Sequence, residues 1–183
     1  TCTIAEIYSA RVVRHDTNKG YGWARQSALE NCETEIIAFI DDSCLLSSDW
    51  YGYLLELWTK ADSNTHAIAG KMDIFEPKTF FQKFMVRHNP FLPLPLTFSR
   101  NNSIPKKLKP YLIGKQDLSA GFISGFSNGN ASFRRSSLNE IGGYDICYRF
   151  GAEDEDVAAR LQKRFGNTSI YYDPLLKVSH FSN

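Results

Sequence analysis

Ile36-Ile37-Ala38-Phe39-Ile40-Asp41-Asp42-Ser43 is a short, unbroken apolar run that stops on two adjacent acids and a serine. Such a run predicts a strand buried on both faces of a parallel sheet. In open α/β sheets ligands collect beyond the carboxyl ends of strands, which makes Asp41 and Asp42 candidate binding residues. Neighbouring carboxylates repel each other unless a cation, a hydroxyl donor or water relieves them. Two arrangements meet that need. The pair can cap the turn that follows, or it can hold a divalent cation bridging to a phosphate ligand, since Mg2+ and Mn2+ favour carboxylate oxygens together with substrate phosphates.

Upstream of the run, Asp16-Thr-Asn-Lys-Gly20 is turn chemistry and leads into a helix predicted to reach about Asn31. Gly20, Ala24 and Ala28 give that helix a small-residue stripe that suits close packing on a sheet. Ala10 to His15 reads as a short strand. Downstream, Ser47 or Ser48 offers a helix N-cap, and Trp50, Leu54, Leu57, Trp58 and Ala61 repeat at helical spacing. His66 to Asp73 reads as a strand. From Ile74 to Asp117 the regular pattern weakens, with a short amphipathic helix at Phe80–Val86 and basic residues at Lys83, Arg87 and Lys106 to Lys109. Residues 74–117 are read as a variable insertion, either without chemistry or in contact with substrate or membrane. A Gly/Ser/Asn turn at Ser124–Gly129 then precedes a strand at Ala131–Arg134 and a helix at Ser137–Ile141 closed by Gly142-Gly143. Ser169–Asp173 and Leu176–His180 read as two closing strands. The alternation of strands and helices predicts an α/β domain on a mainly parallel sheet.

Glu153-Asp154-Glu155-Asp156 opens a further helix, carried on by Val157, Leu161 and Phe165. Acids in a first turn suit the helix dipole, which accounts for part of the cluster. At 100° per residue, Val157, Ala158, Leu161 and Phe165 form an apolar arc with Asp154 in its middle and Glu153 at its edge. Glu155 and Asp156 point away. A carboxylate aimed along a core face at a helix start either caps something buried or faces a cleft.

The 183 residues amount to one domain, and 43% hydrophobic with 22% charged residues make it globular. A net charge of +1 argues against broad attraction to nucleic acid. Cys2, Cys32, Cys44 and Cys147 show no C-x-x-C spacing, a use that suits free thiols in a reducing compartment. No apolar run reaches the length of a membrane span and no signal peptide is visible. The chain opens on Thr1 rather than Met, as a piece of something longer would.

Asn18-x-Gly20 with Ala24-Arg25, Ile36 to Asp42 and Asp49-Trp50 together resemble the inverting, GT-A-type glycosyltransferases of family 2. The resemblance continues through Gly129-Asn130-Ala131-Ser132-Phe133-Arg134, Gly142-Gly143-Tyr144-Asp145 and Gly151-x-Glu153-Asp154-x-Asp156. The latter half is also similar to the carboxyl-terminal portion of galactosyltransferase-like enzymes. The resemblance implies a Rossmann-like GT-A sheet flanked by helices. It implies Asp154 as the general base and Glu153 as a residue orienting the acceptor or its loop. Arg25 would lie near the nucleotide base, and Asn18, Gly20, Asn128, Gly129 and Asn130 would contact the donor. Asp41 to Ser43 fall on the D-x-D motif, with Ser43 where the metal-holding Asp usually stands. Asp42 and His180 are then the residues left to hold Mg2+ or Mn2+. Relatives open with a nucleotide-contacting strand that is not found ahead of Ala10, so the single domain of residues 1–183 is expected to be N-terminally incomplete.

These features imply an inverting transfer of a hexosyl or N-acetylhexosaminyl group from a nucleotide-sugar donor to a glycan or lipid-linked acceptor. The expected setting is surface polysaccharide synthesis at the cytoplasmic face of a membrane, with a peripheral membrane contact admitted. One rival is a non-catalytic glycan-binding or scaffold relative, suggested by Ser43 and the missing start. The other is a metal-dependent phosphoryl-transfer enzyme, which the sequence disfavours because no P-loop glycine cradle is present.

Overall fold

A computed structural model of the chain describes residues 2–87, 91, 93 and 118–181. The elements run α1 (Cys2–Ile7), α2 (Tyr21–Glu30), β1 (Ile36–Ile40), β2 (Cys44–Leu46), α3 (Trp50–Lys60), β3 (Ala67–Ile74) and α4 (Phe80–Arg87). They continue with β4 (Gly121–Phe122), β5 (Asn130–Arg134), α5 (Arg135–Glu140), α6 (Glu153–Phe165) and β6 (Ile170–His180). Pro90, Pro95, Pro105, Pro110 and the Lys106 to Lys109 run of the expected insertion lie outside the described residues.

The strands form one sheet in the order β1-β5-β3-β6-β2, with β4 also paired to β6. The architecture is α/β as expected, but the strand directions correct the expected mainly parallel sheet. β3 pairs β6 in parallel, whereas β5 runs antiparallel to both β1 and β3, and β2 and β4 run antiparallel to β6. β1, β3 and β6 nevertheless share one direction, so Asp41 and His180 emerge at the same end of the sheet. β1 is also not buried on both faces. Ile37 and Phe39 are buried while Ala38 is exposed, because the strand stands at the end of the strand order.

One face of the sheet packs on α2, α5 and α6 through Leu29, Phe39, Phe133, Leu138, Val157, Leu161 and Tyr172. The other packs on α3 through Trp50, Leu54, Ile68, Met72, Leu176 and Val178. Full burial of each such side chain contributes about 1.5–3 kcal/mol before the entropy of ordering it.

Three local expectations are corrected. Residues 10–15 form no strand, and a short helix, α1, stands ahead of them. α3 starts at Trp50, whose backbone N–H is bonded by the Ser47 carbonyl at 3.1 Å, so neither serine hydroxyl caps it. The two closing strands are one. Pro174 suggests a break because it has no N–H to give to a ladder. The chain absorbs it as a bulge: Gly70 pairs with Asp173 and Lys71 with Lys177, so three residues are extruded opposite the Gly70–Lys71 step. Gly70 is required there, since a Cβ would lie 1.9 Å from the Leu176 carbonyl oxygen.

Candidate active site

A cleft of about 560 Å³ opens at the end of the sheet where β1 and β6 finish. Arg25, Asp41, Asp42, Ser43, Glu153, Asp154 and His180 all line it, so seven of the sequence-predicted site residues meet in one place. β1 delivers Asp41 to Ser43. The antiparallel pairing of Cys44 with His180 in the β2–β6 ladder brings Ser43 beside the histidine. Ser43 Oγ and His180 Nε2 are 3.0 Å apart. Gly151 and Ala152 both take positive φ, 128° and 68°, and this tight turn aims the start of α6 back over the cleft. A left-handed alanine is an uncommon conformation and marks a constrained position.

The four acids do not share one fate. Glu153 is only 4% exposed, whereas Asp154 is partly exposed, which reverses the burial order expected from the helical wheel. The cause is on α2. Arg25 donates to Glu153 through one guanidinium nitrogen and to Asp41 through the other, the latter at 2.9 Å. Its side chain is 12% exposed, so it spans the cleft floor and joins the acids of β1 and α6. Burial raises the Glu153 carboxyl above its usual range, and the Arg25 guanidinium opposes that rise. Asp154 Oδ1 accepts a bond from the Glu155 backbone N–H at 3.0 Å and otherwise faces the cleft. Asp156 pairs along the helix with Arg160, which also donates to the Ile141 and Gly143 carbonyls at 2.7 Å and fixes α6 to the Gly142-Gly143 turn.

The remaining candidates are not brought to the cleft wall. Asn130 is fully buried; its Oδ1 accepts from Trp50 Nε1 at 3.1 Å, and Nδ2 donates to the Lys71 and Leu176 carbonyls. Both amide protons are spent on the fold, which corrects its assignment as a donor contact. Asn128 is buried too, with Oδ1 accepting from the Tyr144 hydroxyl at 3.0 Å. Gly129 sits directly behind Asp41, where a Cβ would come within 2.8 Å of Oδ2. Asn18 Oδ1 accepts from the Gly20 N–H at 2.9 Å, and the Asn18 carbonyl accepts from Arg149, so this turn braces the loop leading to the acids.

Tyr21 and Ser127 line the cleft and were missed from the sequence. Tyr21 precedes Arg25 by one helical turn and the guanidinium lies 5.7 Å from its ring, a spacing that could have revealed it. Ser127 carried no signal beyond turn chemistry. Burial and the Asp41 charge push the thiol of Cys44, beside the acids, up to about 11.

The family model for glycosyl transferase family 2 matches residues 2–142 of the chain. No curated protein matches. Among solved structures the chain resembles GalNAc-T7 in complex with UDP, GalNAc and Mn2+, at TM-score 0.66 and 13% identity, covering 100% of this chain and 34% of that one. It resembles the mannosyltransferase PcManGT from Pyrobaculum calidifontis, in complex with GDP-Man and Mn2+, at TM-score 0.59 and 17% identity, covering 98% and 42%. It also resembles glucosyl-3-phosphoglycerate synthase from Mycobacterium tuberculosis in complex with phosphoglyceric acid, at TM-score 0.56 and 15% identity, covering 100% and 57%. The chain thus spans between a third and somewhat over half of these proteins, and identities this low speak to the fold alone. The fold is GT-A, and with most of its length matched by the family model, the chain belongs to glycosyl transferase family 2.

Proposed function

We propose that this chain transfers a hexosyl or N-acetylhexosaminyl group from a nucleotide-sugar donor to a hydroxyl of a glycan or lipid-linked acceptor, with inversion at the anomeric carbon. The observation that carries this reading is the single cleft in which Asp154 faces Asp41, Asp42, Ser43 and His180. Asp154 takes the proton of the acceptor hydroxyl. The freed oxygen bonds to the anomeric carbon, the bond from that carbon to the diphosphate breaks, and the nucleoside diphosphate leaves with the electron pair. Attack from the side opposite the leaving group inverts the centre. Glu153, held by Arg25, fixes the start of α6 and thereby the reach of Asp154.

The donor set at the sheet end fits a divalent cation of the Mg2+ or Mn2+ kind. Among the described residues no three His, Cys, Asp or Glu side chains gather as a closed metal cage. Asp42 and His180 on the same cleft would instead make an open set, which suits ions that complete their shell with substrate phosphates and water. His180 presents Nε2 toward the cleft, 3.0 Å from Ser43 Oγ, while its Nδ1 is buried and without a hydrogen-bond partner. Such an ion, when bound, neutralises charge on the departing diphosphate.

Calorimetric titration with UDP, GDP and dTDP, each with and without Mn2+, tests this reading. Binding of one nucleotide, strengthened by Mn2+, is the expected result. Failure of all three to bind would favour the non-catalytic relative over the transferase.

Surface polysaccharide synthesis at the cytoplasmic face of a membrane is the proposed setting. Cys32, Cys44 and Cys147 are free thiols, as suits a reducing compartment. No helix among the described residues is long and apolar enough to cross a membrane. α4, however, presents Phe80 at 88% and Phe81 at 66% exposure beside exposed Lys78 and Lys83, a pattern complementary to an anionic lipid surface. The chain is expected to pellet with phosphatidylserine vesicles and far less with phosphatidylcholine. Replacing Phe80 by Asp and Lys83 by Glu should abolish pelleting; undiminished pelleting of that variant would refute the contact.

A further inference from the structure

A second cavity, of about 360 Å³, lies on the α3 face of the sheet and shares no lining residue with the cleft. Its walls are aromatic. Phe122 and Tyr171 are partners across the β4–β6 ladder and meet edge to face with ring centroids 5.7 Å apart. Tyr53, on α3, faces them. Side chains alternate along β6, so Tyr172 enters the core under α6 while Tyr171 and Asp173 turn to the α3 side.

Asp173 forms part of the lining and is only 6% exposed, a poor place for a carboxylate unless it is well bonded. Its Oδ1 accepts from the Leu175 N–H at 2.8 Å, and its Oδ2 accepts from the Tyr53 hydroxyl at 3.2 Å. Each carboxylate oxygen can accept twice, so both keep acceptor capacity. Burial and the neighbouring carboxylate push the Tyr53 phenol up, which keeps it protonated. Lys60 and Asp62 stand exposed at the rim. Lys60 is paired with Glu56 at 2.5 Å but has further N–H groups to donate. Asp62 Oδ1 accepts from the Asn64 N–H and the Thr65 hydroxyl, while Oδ2 stays open as an acceptor.

Aromatic walls, a fixed carboxylate and a mixed-charge rim match a ligand with one C–H-rich face and a girdle of hydroxyls. The volume lies at the low end of small-ligand pockets, roughly 300–1,000 Å³. We infer that this cavity is a saccharide-binding subsite, in which a pyranose ring packs on Phe122 and Tyr171 and its hydroxyls bond to Asp173 and Lys60. Asp173 precedes His180 by seven residues on β6, but three of them are taken up by the bulge. The two are therefore separated by four strand steps, about 13 Å at ~3.3 Å per residue. The subsite would hold a stretch of glycan remote from the reacting end. It does not depend on transferase activity, since a chain with an idle cleft would still bind here.

Saturation-transfer NMR on the full chain with maltose, cellobiose, lactose and diacetylchitobiose tests the inference. At least one disaccharide is expected to show transfer to its ring C–H protons, undisturbed by excess UDP. Phe122→Ala removes a stacking partner that is 37% exposed, and Asp173→Asn keeps the side-chain shape. Each should weaken that binding about tenfold, the scale of one lost aromatic or hydrogen-bonding contact. Circular dichroism checks that the variants fold, and if Asp173→Asn does not, Phe122→Ala decides alone. No transfer to any of the four sugars, binding abolished by UDP, or wild-type affinity in the folded variants would each overturn the subsite.

Discussion

Asp154→Asn is expected to lower the rate of sugar transfer by about 10²- to 10⁴-fold, the usual contribution of a positioned general base. The amide has nearly the same shape and can still accept the Glu155 N–H bond, so α6 should keep its start. Loss of one first-turn charge costs the helix about 0.3–1 kcal/mol, too little to unfold the chain. The donor's KM should barely move, because Asp41, Asp42, Ser43 and His180 are untouched. A fall in kcat with donor KM unchanged is therefore the signature to seek in the transferase assay. Transfer at near wild-type rate would remove Asp154 as the base.

Arg25→Leu should cost the fold about 3–5 kcal/mol, the range for breaking a buried pair by deleting one partner. Glu153 would be left at 5% side-chain exposure with no counter-charge, and Oε2 has no hydrogen-bond partner to begin with. The loss at Asp41 is minor, since that side chain is 38% exposed and surface pairs contribute little. For a chain of this length the cost corresponds to a melting temperature lower by about 10 °C.

The pH dependence has a definite sign. Burial raises the Glu153 pKa above its unfolded value, so the native state binds the proton more tightly. That contribution is fully present below the unfolded pKa and is lost as pH rises through the folded one. Removing Arg25 removes the opposing pull and raises the folded pKa further. The gap between variant and wild type should therefore be wider at pH 8 than at pH 5. Adding Glu153→Gln to Arg25→Leu should recover much of the loss. Thermal melts at both pH values check this, and an equal deficit at each would show that Glu153 is not the group left stranded.

Much of the site could be read from the sequence because its residues sit at element boundaries. Asp41 and Asp42 follow an apolar run, His180 ends another, and Glu153 and Asp154 open a helix. Boundaries of this kind follow from local periodicity and turn chemistry. Asn130 was misread for a related reason: Gly and Asn in a loop look alike whether they touch a ligand or bolt two strands to α3. Only the neighbours supplied by Trp50, Lys71 and Leu176 distinguish the two.

By itself the sequence determined where most helices and strands lie and which acids stand at their ends. Those properties depend on residues a few positions apart. Tertiary structure alone decided the strand directions, the union of the two closing strands across Pro174, and the exchange of roles between Glu153 and Asp154. A helical wheel gives the direction of a side chain but not what stands opposite it. Arg25 lies 128 residues away in the chain, and its charge determines which of the two acids can be buried.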